Sequence, residues 1–234
     1  MNRWEVEIDP ACSHGALLGD FLDQGRPACS LGLSRGSSAS NRGRLTATLA
    51  WLADRAGEIL VVEGSYLARW NKMALEGASE ITARREADFE AAAARRRIES
   101  VLRESPRPDQ ARLGDWAVLA ESPEVRAGMA AIEDFARADA AFESSLDREV
   151  NDYVSRTRGV AAEALTERSR RLLRAYVVEE VAVLLDLQRR GYRVEIYHGP
   201  DLTMLTAITE GRFPNAPFSC PDRTHVSLRV WRGV

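Results

Sequence analysis

The chain has 234 residues, 45% of them hydrophobic, and a formal net charge of -3 at pH 7. This length suffices for one sizeable core, so we expect a single domain over 1–234. Because the net charge is slightly negative, any nucleic-acid surface on it must be a local patch. Three cysteines without metal-ligand spacing, an acidic N-terminus and the lack of a membrane-length apolar run predict a soluble cytoplasmic protein that does not bind membranes. We also expect a monomer that does not bind DNA.

The first recognisable unit is a strand, a loop, a helix and a second strand. The apolar stretch 28–33 predicts a buried strand, which a glycine- and serine-rich loop follows at 34–43. Leucines on one face predict a helix over 45–56, and 58–62 predicts a second strand that ends at 63–66. This order is typical of the crossover between parallel strands, where ligands bind beyond the carboxyl ends.

A long helical stretch is predicted over 67–104, and it is rich in arginine. Five of its arginines fall in an arc of about 120° on an ideal helix: Arg84, Arg85, Arg95, Arg96 and Arg103. Asp88 and Glu99 share this arc. A solvated surface helix held by Glu–Arg pairs therefore remains as reasonable as a phosphate-binding face.

The second half of the chain is predicted to be helical until two late strands. Helices at about 124–139 and 141–156 show no chemistry and indicate a packing layer. A central helix covers 166–190 and stops at Gly191, a common residue beyond a helix end. The elements predicted after it are a strand at 193–197, a short helix at 201–209 and a strand at 225–231.

Tyr176 and Glu180 lie four residues apart on the central helix, so that a phenol and a carboxylate share one face. Their apolar neighbours place the helix against a core, where a carboxylate needs a partner or a function. A Tyr–Glu pair that only closes a contact between helix and sheet is the simpler interpretation of this feature alone.

No dinucleotide-binding, Walker or HExxH motif is present, and we expect no cofactor and no metal. The stretch Gly32-Leu-Ser34-Arg-Gly36 has the formal spacing of a hydrolase nucleophile elbow, and His198 or His225 could be its base. The helix that should directly follow the serine begins only near Leu45. A serine hydrolase is therefore an alternative hypothesis.

Three features, in this order, resemble the tRNA-dependent cyclodipeptide synthases: Gly32-x-Ser34 after a strand, Tyr176-x-x-x-Glu180 on a helix and Tyr197-His198 at a strand end. Looser similarities are the Val-Val-Glu-Gly-Ser-Tyr66 strand end, the arginine helix and the segment from Trp116 to Pro123. The resemblance implies an α/β fold with a Rossmann-like parallel sheet and flanking helices, similar to the catalytic domain of class I tyrosyl- and tryptophanyl-tRNA synthetases. It also implies two aminoacyl-tRNAs as substrates and no nucleotide, because an aminoacyl ester is already activated.

Carried over to this sequence, the resemblance makes Ser34 the nucleophile that takes the first aminoacyl group as an ester. Tyr176 and Glu180 would hold the aminoacyl ammonium, and Glu180 could relay a proton. Tyr197 would hydrogen-bond the reacting carbonyl, and His198 would support the second transfer or the cyclisation. A dipeptidyl-enzyme would then close to a diketopiperazine, because both reacting ends are tethered at one centre.

Further residues are expected at the substrate-binding site: Gly32, Ser37, Tyr66 and Glu195. Gly32 leaves room against its strand, and Glu195 shares a face with Tyr197 in a regular strand. Glu195 would therefore favour a polar or basic side chain in the first pocket. Phosphates of the tRNA acceptor stem would lie along six arginines: Arg84, Arg85, Arg95, Arg96, Arg168 and Arg171.

Two departures from the family pattern leave the subfamily open. Ser37 stands where relatives with Tyr-His usually have Asn, and Glu180-Val-Ala182 replaces the usual Glu-x-Pro. A single aminoacyl transfer from tRNA to a small-molecule amine therefore remains an alternative. A protein that binds tRNA without catalysis remains another.

Overall fold

The structure, a computed structural model, describes residues 4–23, 25–33, 41–158 and 165–233. Its centre is a sheet of these strands: β1 (Trp4–Ile8), β2 (His14–Gly15), β3 (Ala28–Leu33), β4 (Glu58–Glu63), β5 (Ala111–Asp115), β6 (Val194–Tyr197) and β7 (Thr224–Arg232). The order is β1-β7-β6-β3-β4-β5, and β2 also pairs with β7. All pairs from β7 to β5 are parallel, while β1 and β2 run antiparallel to β7. The expected α/β fold with a mostly parallel sheet is confirmed.

Helices cover both faces of this sheet: α1 (Leu18–Leu22), α2 (Arg42–Leu52), α3 (Ala68–Leu75), α4 (Glu80–Arg103), α5 (Trp116–Glu121), α6 (Pro123–Ala138), α7 (Ala140–Arg158), α8 (Glu167–Arg189) and α9 (Thr203–Thr209). The side chains of α1, α2 and the end of α4 form one buried cluster with the sheet, and those of α5 to α9 form another. Within the described ranges, none of the helices combines the length and the apolar character that crossing a membrane requires.

Strand register decides which side chains face α8. Leu31 of β3 pairs with Ile196 of β6, and both are buried in the cluster that contains α2. Because side chains alternate along a strand, the intervening positions face the layer of α8: Ser30, Gly32, Glu195 and Tyr197. The β6–β7 register continues this row, since Glu195 pairs with His225.

The predicted helical stretch 67–104 is wrong in one respect, because it is interrupted between α3 and α4. Gly77 has a φ of +70°, which a side chain would strain, and Ser79 then caps α4 by accepting a hydrogen bond from the Thr82 backbone N–H at 3.2 Å. The predicted loop at 34–43 lies outside the described residues up to residue 40. The helix after it begins at Arg42, three residues earlier than expected.

Candidate active site

The carboxyl ends of β3 and β6 meet where Gly32 and Tyr197 lie side by side. An ideal Cβ built on Gly32 would lie 3.2 Å from Cδ2 of Tyr197, and one built on Gly199 would lie 3.3 Å from Cε1 of the same ring. Both distances are shorter than ordinary carbon contacts. The ring of Tyr197 therefore packs between two glycines whose lack of a side chain makes room for it.

The predicted nucleophile Ser34, and Ser37 in the same loop, lie outside the described residues. His198, beyond the end of β6, has its Nδ1 3.2 Å from the carbonyl oxygen of Leu228. Because a carbonyl oxygen only accepts, Nδ1 carries the hydrogen and Nε2 is the acceptor in the neutral ring. Burial lowers the pKa of His198, so the neutral ring predominates near pH 7.

Helix α8 carries Tyr176 and Glu180 one turn apart, both half-buried. The ring of Tyr176 lies 4.5 Å, centroid to centroid, from that of Tyr153 on α7. Burial raises the pKa of Tyr176 well above its ordinary value of 10.0, and the charge of Glu180 adds to the effect. Tyr176 is therefore a neutral phenol at physiological pH and can donate a hydrogen bond.

Glu180 lies in an environment that disfavours its charge. Burial, and to a smaller extent the negative charges of Glu195 and Glu149, raise the pKa of its carboxyl to about 8, and only Arg156 opposes them among the main contributions. No hydrogen-bond donor from the described residues reaches this carboxylate. Glu180 can thus change its protonation near neutral pH, as an acid–base group or a ligand for a cation must.

The adjacent acid, Glu179, has the opposite environment. Its buried carboxylate accepts hydrogen bonds from both terminal nitrogens of Arg69, from Nε1 of Trp70 at 3.1 Å and from Nε1 of Trp116 at 3.0 Å. The Arg69 guanidinium also stacks over Tyr66, 4.0 Å from the ring centroid. Tyr66, predicted to bind substrate, is therefore part of this buried ion-pair cluster, which the sequence did not reveal.

Glu195 belongs to a second buried ion-pair cluster. Arg223 donates to Oε2 of Glu195 through Nε at 3.2 Å and Nη2 at 2.5 Å, and to both oxygens of Asp201 at 2.5 and 2.6 Å. His14 reaches Asp201 at 3.1 Å and stacks on His225 with the ring centroids 5.7 Å apart. Burial alone would raise the pKa of Asp201, but the hydrogen bonds from Arg223 and His14 hold it well below its usual range. The sequence singled out Glu195 but not its partners.

The arginines predicted to contact phosphates differ in their exposure and in their ion pairs. Arg85 and Arg96 on α4, and Arg168 and Arg171 on α8, are exposed. Arg84 is also exposed but lies 3.1 Å from Glu80, and Arg95 is ion-paired with Asp115 at the end of β5.

A cavity of about 740 Å³ opens between α2 and α4, at the carboxyl ends of β3 and β4. Its lining joins the apolar side chains of Leu33 and Ile98 to the guanidinium groups of Arg96 and Arg97. The carboxyl end of β3, at Leu33, therefore opens toward arginine side chains of α4, with Glu63 and Glu90 also in the lining.

A family model described as cyclodipeptide synthase matches residues 19–199. The chain belongs to the cyclodipeptide synthase family. Solved cyclodipeptide synthases share its fold over nearly the whole length. The one from Fluoribacter dumoffii gives a TM-score of 0.80 at 16% identity, covering 100% of both chains. The Mycobacterium tuberculosis protein, whose structure relates cyclodipeptide synthases to type I tRNA synthetases, gives 0.72 at 16% identity, covering 97% of this chain and 93% of that chain.

A third cyclodipeptide synthase, from Candidatus Glomeribacter gigasporarum, was solved bound to Phe-tRNAPhe. It gives a TM-score of 0.50 at 16% identity and covers 97% of this chain and 95% of that chain. No curated protein matches the chain. At these identities the likeness to solved structures establishes the fold, and the family model establishes the family.

Proposed function

We propose that this cyclodipeptide synthase takes two aminoacyl-tRNAs and forms a cyclodipeptide through esters on Ser34. The observation that carries the proposal is the state of Glu180, a half-buried carboxylate without a hydrogen-bond donor among the described residues, beside the neutral phenol of Tyr176. An aminoacyl ammonium would supply the positive charge that this site lacks. Membership of the family and the tRNA complex of the Glomeribacter enzyme support the choice of substrate.

The pKa of Glu180 suits it to transfer a proton from the substrate amine. The carboxyl has a pKa of about 8, and an α-amino group titrates at roughly 7.7–8.0. Transfer between groups of nearly equal pKa costs little free energy, so Glu180 can bind the ammonium and then hold its proton while the free amine attacks. Tyr197, fixed between Gly32 and Gly199, would donate to the carbonyl oxygen that gains negative charge.

The chemistry proceeds in three acyl transfers. The Oγ of Ser34 attacks the carbonyl of the first aminoacyl-tRNA, the bond to the ribose oxygen breaks and the serine proton goes to that oxygen. The amine of aminoacyl-Ser34 then attacks the second ester carbonyl, which releases the second tRNA and leaves a dipeptidyl ester. The terminal amine of the dipeptide finally attacks the Ser34 ester carbonyl, which closes the ring and restores the serine hydroxyl. The Nε2 of His198 is available to accept a proton in the later transfers.

The exposed arginines of α4 and α8 are the proposed contacts for the tRNA phosphates. Arg85, Arg96, Arg168 and Arg171 can reach a polyanion directly. Arg84 and Arg95 would first have to leave their acidic partners. Phosphate contacts position a nucleic acid without selecting its sequence, so this surface would accept several charged tRNAs and leave selection to the aminoacyl site.

Expression in a bacterial host, with mass spectrometry of the medium, tests the proposed function. The expected product is a diketopiperazine that disappears when Ser34→Ala replaces the wild type at equal expression. Purified protein mixed with aminoacyl-tRNA should also gain the mass of one aminoacyl group. An acylated Ser34 without cyclic product would indicate a single-transfer enzyme. Cleavage of simple esters without tRNA, together with no acylation, would contradict the proposal in favour of a hydrolase.

A further inference from the structure

We propose that the first amino acid loaded onto Ser34 has a side chain that donates a hydrogen bond from nitrogen to Oε1 of Glu195. The donor would be an ammonium, a guanidinium, an imidazole or an indole N–H. This inference rests on the proposed function and specifies its substrate class. Glu195 lies two residues before Tyr197 on β6 and faces α8, the helix that carries Glu180. The carboxylate therefore belongs to the wall of the space that the first aminoacyl group must enter.

Among the residues that the structure describes, only one oxygen of Glu195 accepts hydrogen bonds. Arg223 donates twice to Oε2, whereas Oε1 receives no hydrogen bond from the described residues. Nδ1 of His225 lies 4.0 Å from Oε1, beyond hydrogen-bonding distance. The Glu195 side chain is 10% exposed, so Oε1 is open to a donor from outside the protein.

His225 gives a second and independent indication. Its side chain is 1% exposed, and its Nε2 lies 3.1 Å from the carbonyl oxygen of Gly199, so that Nε2 carries the hydrogen. In the neutral ring Nδ1 is then an acceptor, and it is buried with no hydrogen-bond partner in the described ranges. Nδ1 lies 3.7 Å from Oδ1 of Asp201 and 4.0 Å from Oε1 of Glu195, and all three atoms are acceptors.

The charges around the site lead to the same conclusion. Four acids and two arginines surround it: Glu149, Glu180, Glu195, Asp201, Arg156 and Arg223. Once the substrate ammonium has ionised Glu180, all four acids carry charge, and their four negative charges face only the two positive charges of the arginines. The α-ammonium of the substrate supplies one positive charge at Glu180. A cationic side chain at Glu195 would supply the second, and a neutral N–H group would supply the missing hydrogen bond alone.

A metal ion does not fit the same position. Ligand atoms of Glu195, Asp201 and His225 lie within 4.8 Å of one another. The guanidinium of Arg223, however, is hydrogen-bonded to both carboxylates and occupies the place where a cation would bind. Oε1 of Glu195 can still accept a hydrogen bond from a donor outside the described residues, and the proposal assigns that donor to the substrate side chain.

Acylation of the wild-type protein by single aminoacyl-tRNAs tests this inference without any variant. Purified protein is mixed with Arg-, Lys-, His- or Trp-tRNA in one set and with Leu-, Val- or Phe-tRNA in the other, and intact mass reports the ester. At least one tRNA of the first set should acylate the protein about tenfold to a hundredfold faster than any of the second. Faster acylation by Leu-, Val- or Phe-tRNA would overturn the inference while leaving the proposed function in place. No ester with any tRNA would count against both.

Two variants distinguish a cationic substrate side chain from a neutral one. Glu195→Gln keeps an acceptor but loses the charge, so it should slow a cationic substrate by about tenfold or more and leave an indole or neutral imidazole largely unaffected. Glu195→Leu removes the acceptor and should shift preference toward Leu-tRNA or Phe-tRNA. Glu5→Gln, on the exposed face of β1, is the matched control and should keep the wild-type preference. If Glu195→Gln folds and both variants keep the preference of the wild type, Glu195 does not select the side chain.

Discussion

The neighbouring acids of α8, Glu179 and Glu180, should respond in opposite ways to substitution. Loss of Glu179 should lower the free energy of unfolding, whereas Glu180→Gln should not, and the effect at Glu179 is the larger. Its side chain is 2% exposed and that of Arg69 is 6% exposed. Glu179→Ala would leave the Arg69 guanidinium buried, with the carbonyl oxygen of Tyr66 as its remaining hydrogen-bond acceptor among the described residues. It would also leave Nε1 of Trp116 without its buried acceptor.

Breaking one partner out of a buried ion pair costs about 3–5 kcal/mol. Each indole N–H left unsatisfied adds about 1–3 kcal/mol, although such terms are not fully additive. We therefore expect Glu179→Ala to lower the free energy of unfolding by at least about 3 kcal/mol, a large part of the roughly 5–15 kcal/mol that a domain has. Glu179→Gln keeps one acceptor oxygen and should show an intermediate loss.

Urea denaturation followed by tryptophan fluorescence measures these differences, since Trp70 and Trp116 lie in the cluster itself. The matched control is Glu180→Gln, one residue further on the same helix, which removes no hydrogen bond from the described residues. The reasoning is refuted if Glu179→Ala costs less than about 1 kcal/mol, or if Glu180→Gln costs as much as Glu179→Ala. A double variant, Arg69→Met with Glu179→Leu, should recover part of the loss because it leaves no unpaired charge.

Three further predictions concern the site. The rate of Ser34 acylation should rise with pH, with a midpoint near the Glu180 pKa of about 8, and Glu180→Gln should abolish this rise. Because folding raises that pKa from 4.5, the ionised carboxylate destabilises the folded protein, so Glu180→Gln should be more stable than the wild type above pH 4.5 and equally stable below it. Gly32→Ala, whose Cβ would press on Tyr197 at 3.2 Å, should slow acylation about tenfold or more and cost little stability, as rate and urea measurements on the same sample would show. Arg96→Ala should weaken tRNA binding and lower the salt slope by about 1, whereas Arg126→Ala on α6 should change neither.

Elements with a strong apolar pattern were predicted, and those at the sheet edges were not. Strands β3, β4 and β6 are buried continuous runs, and the sequence located each of them to within one residue. Strand β5 is an edge strand with intermediate burial at most positions, so its sequence, Ala111 to Asp115, has no alternation to recognise. Strand β1, Trp4–Ile8, alternates apolar and acidic residues as an antiparallel strand with one exposed face does, so it could have been predicted from the sequence and was missed.

The position of Glu180 on a helix could be predicted, but the different environments of Glu179, which is ion-paired, and Glu180, which has no ion pair in the described ranges, could not. Periodicity places Tyr176 and Glu180 on one face. It gives no information about what faces Glu179, because Arg69 is 110 residues distant in sequence and reaches it only through the packing of α3 on α8. The same holds for Glu195 and Arg223, whose contact depends on the register of β6 and β7. Long-range partners of buried charges are the part of a site that one sequence does not reveal.

The distribution of charge in the folded chain suits a polyanionic substrate despite a negative total. The sequence has 35 acids against 32 basic residues, which by itself disfavours nucleic-acid binding. Several of the acids, however, are withdrawn from the surface: Glu149, Glu179, Asp186, Glu195 and others are buried, while Arg85 and Arg96 are exposed. If a tRNA lies along α4 as proposed, its phosphates would meet the exposed arginines there, and the ammonium at its end would meet Glu180. The net charge of the sequence is therefore a poor guide to the partner.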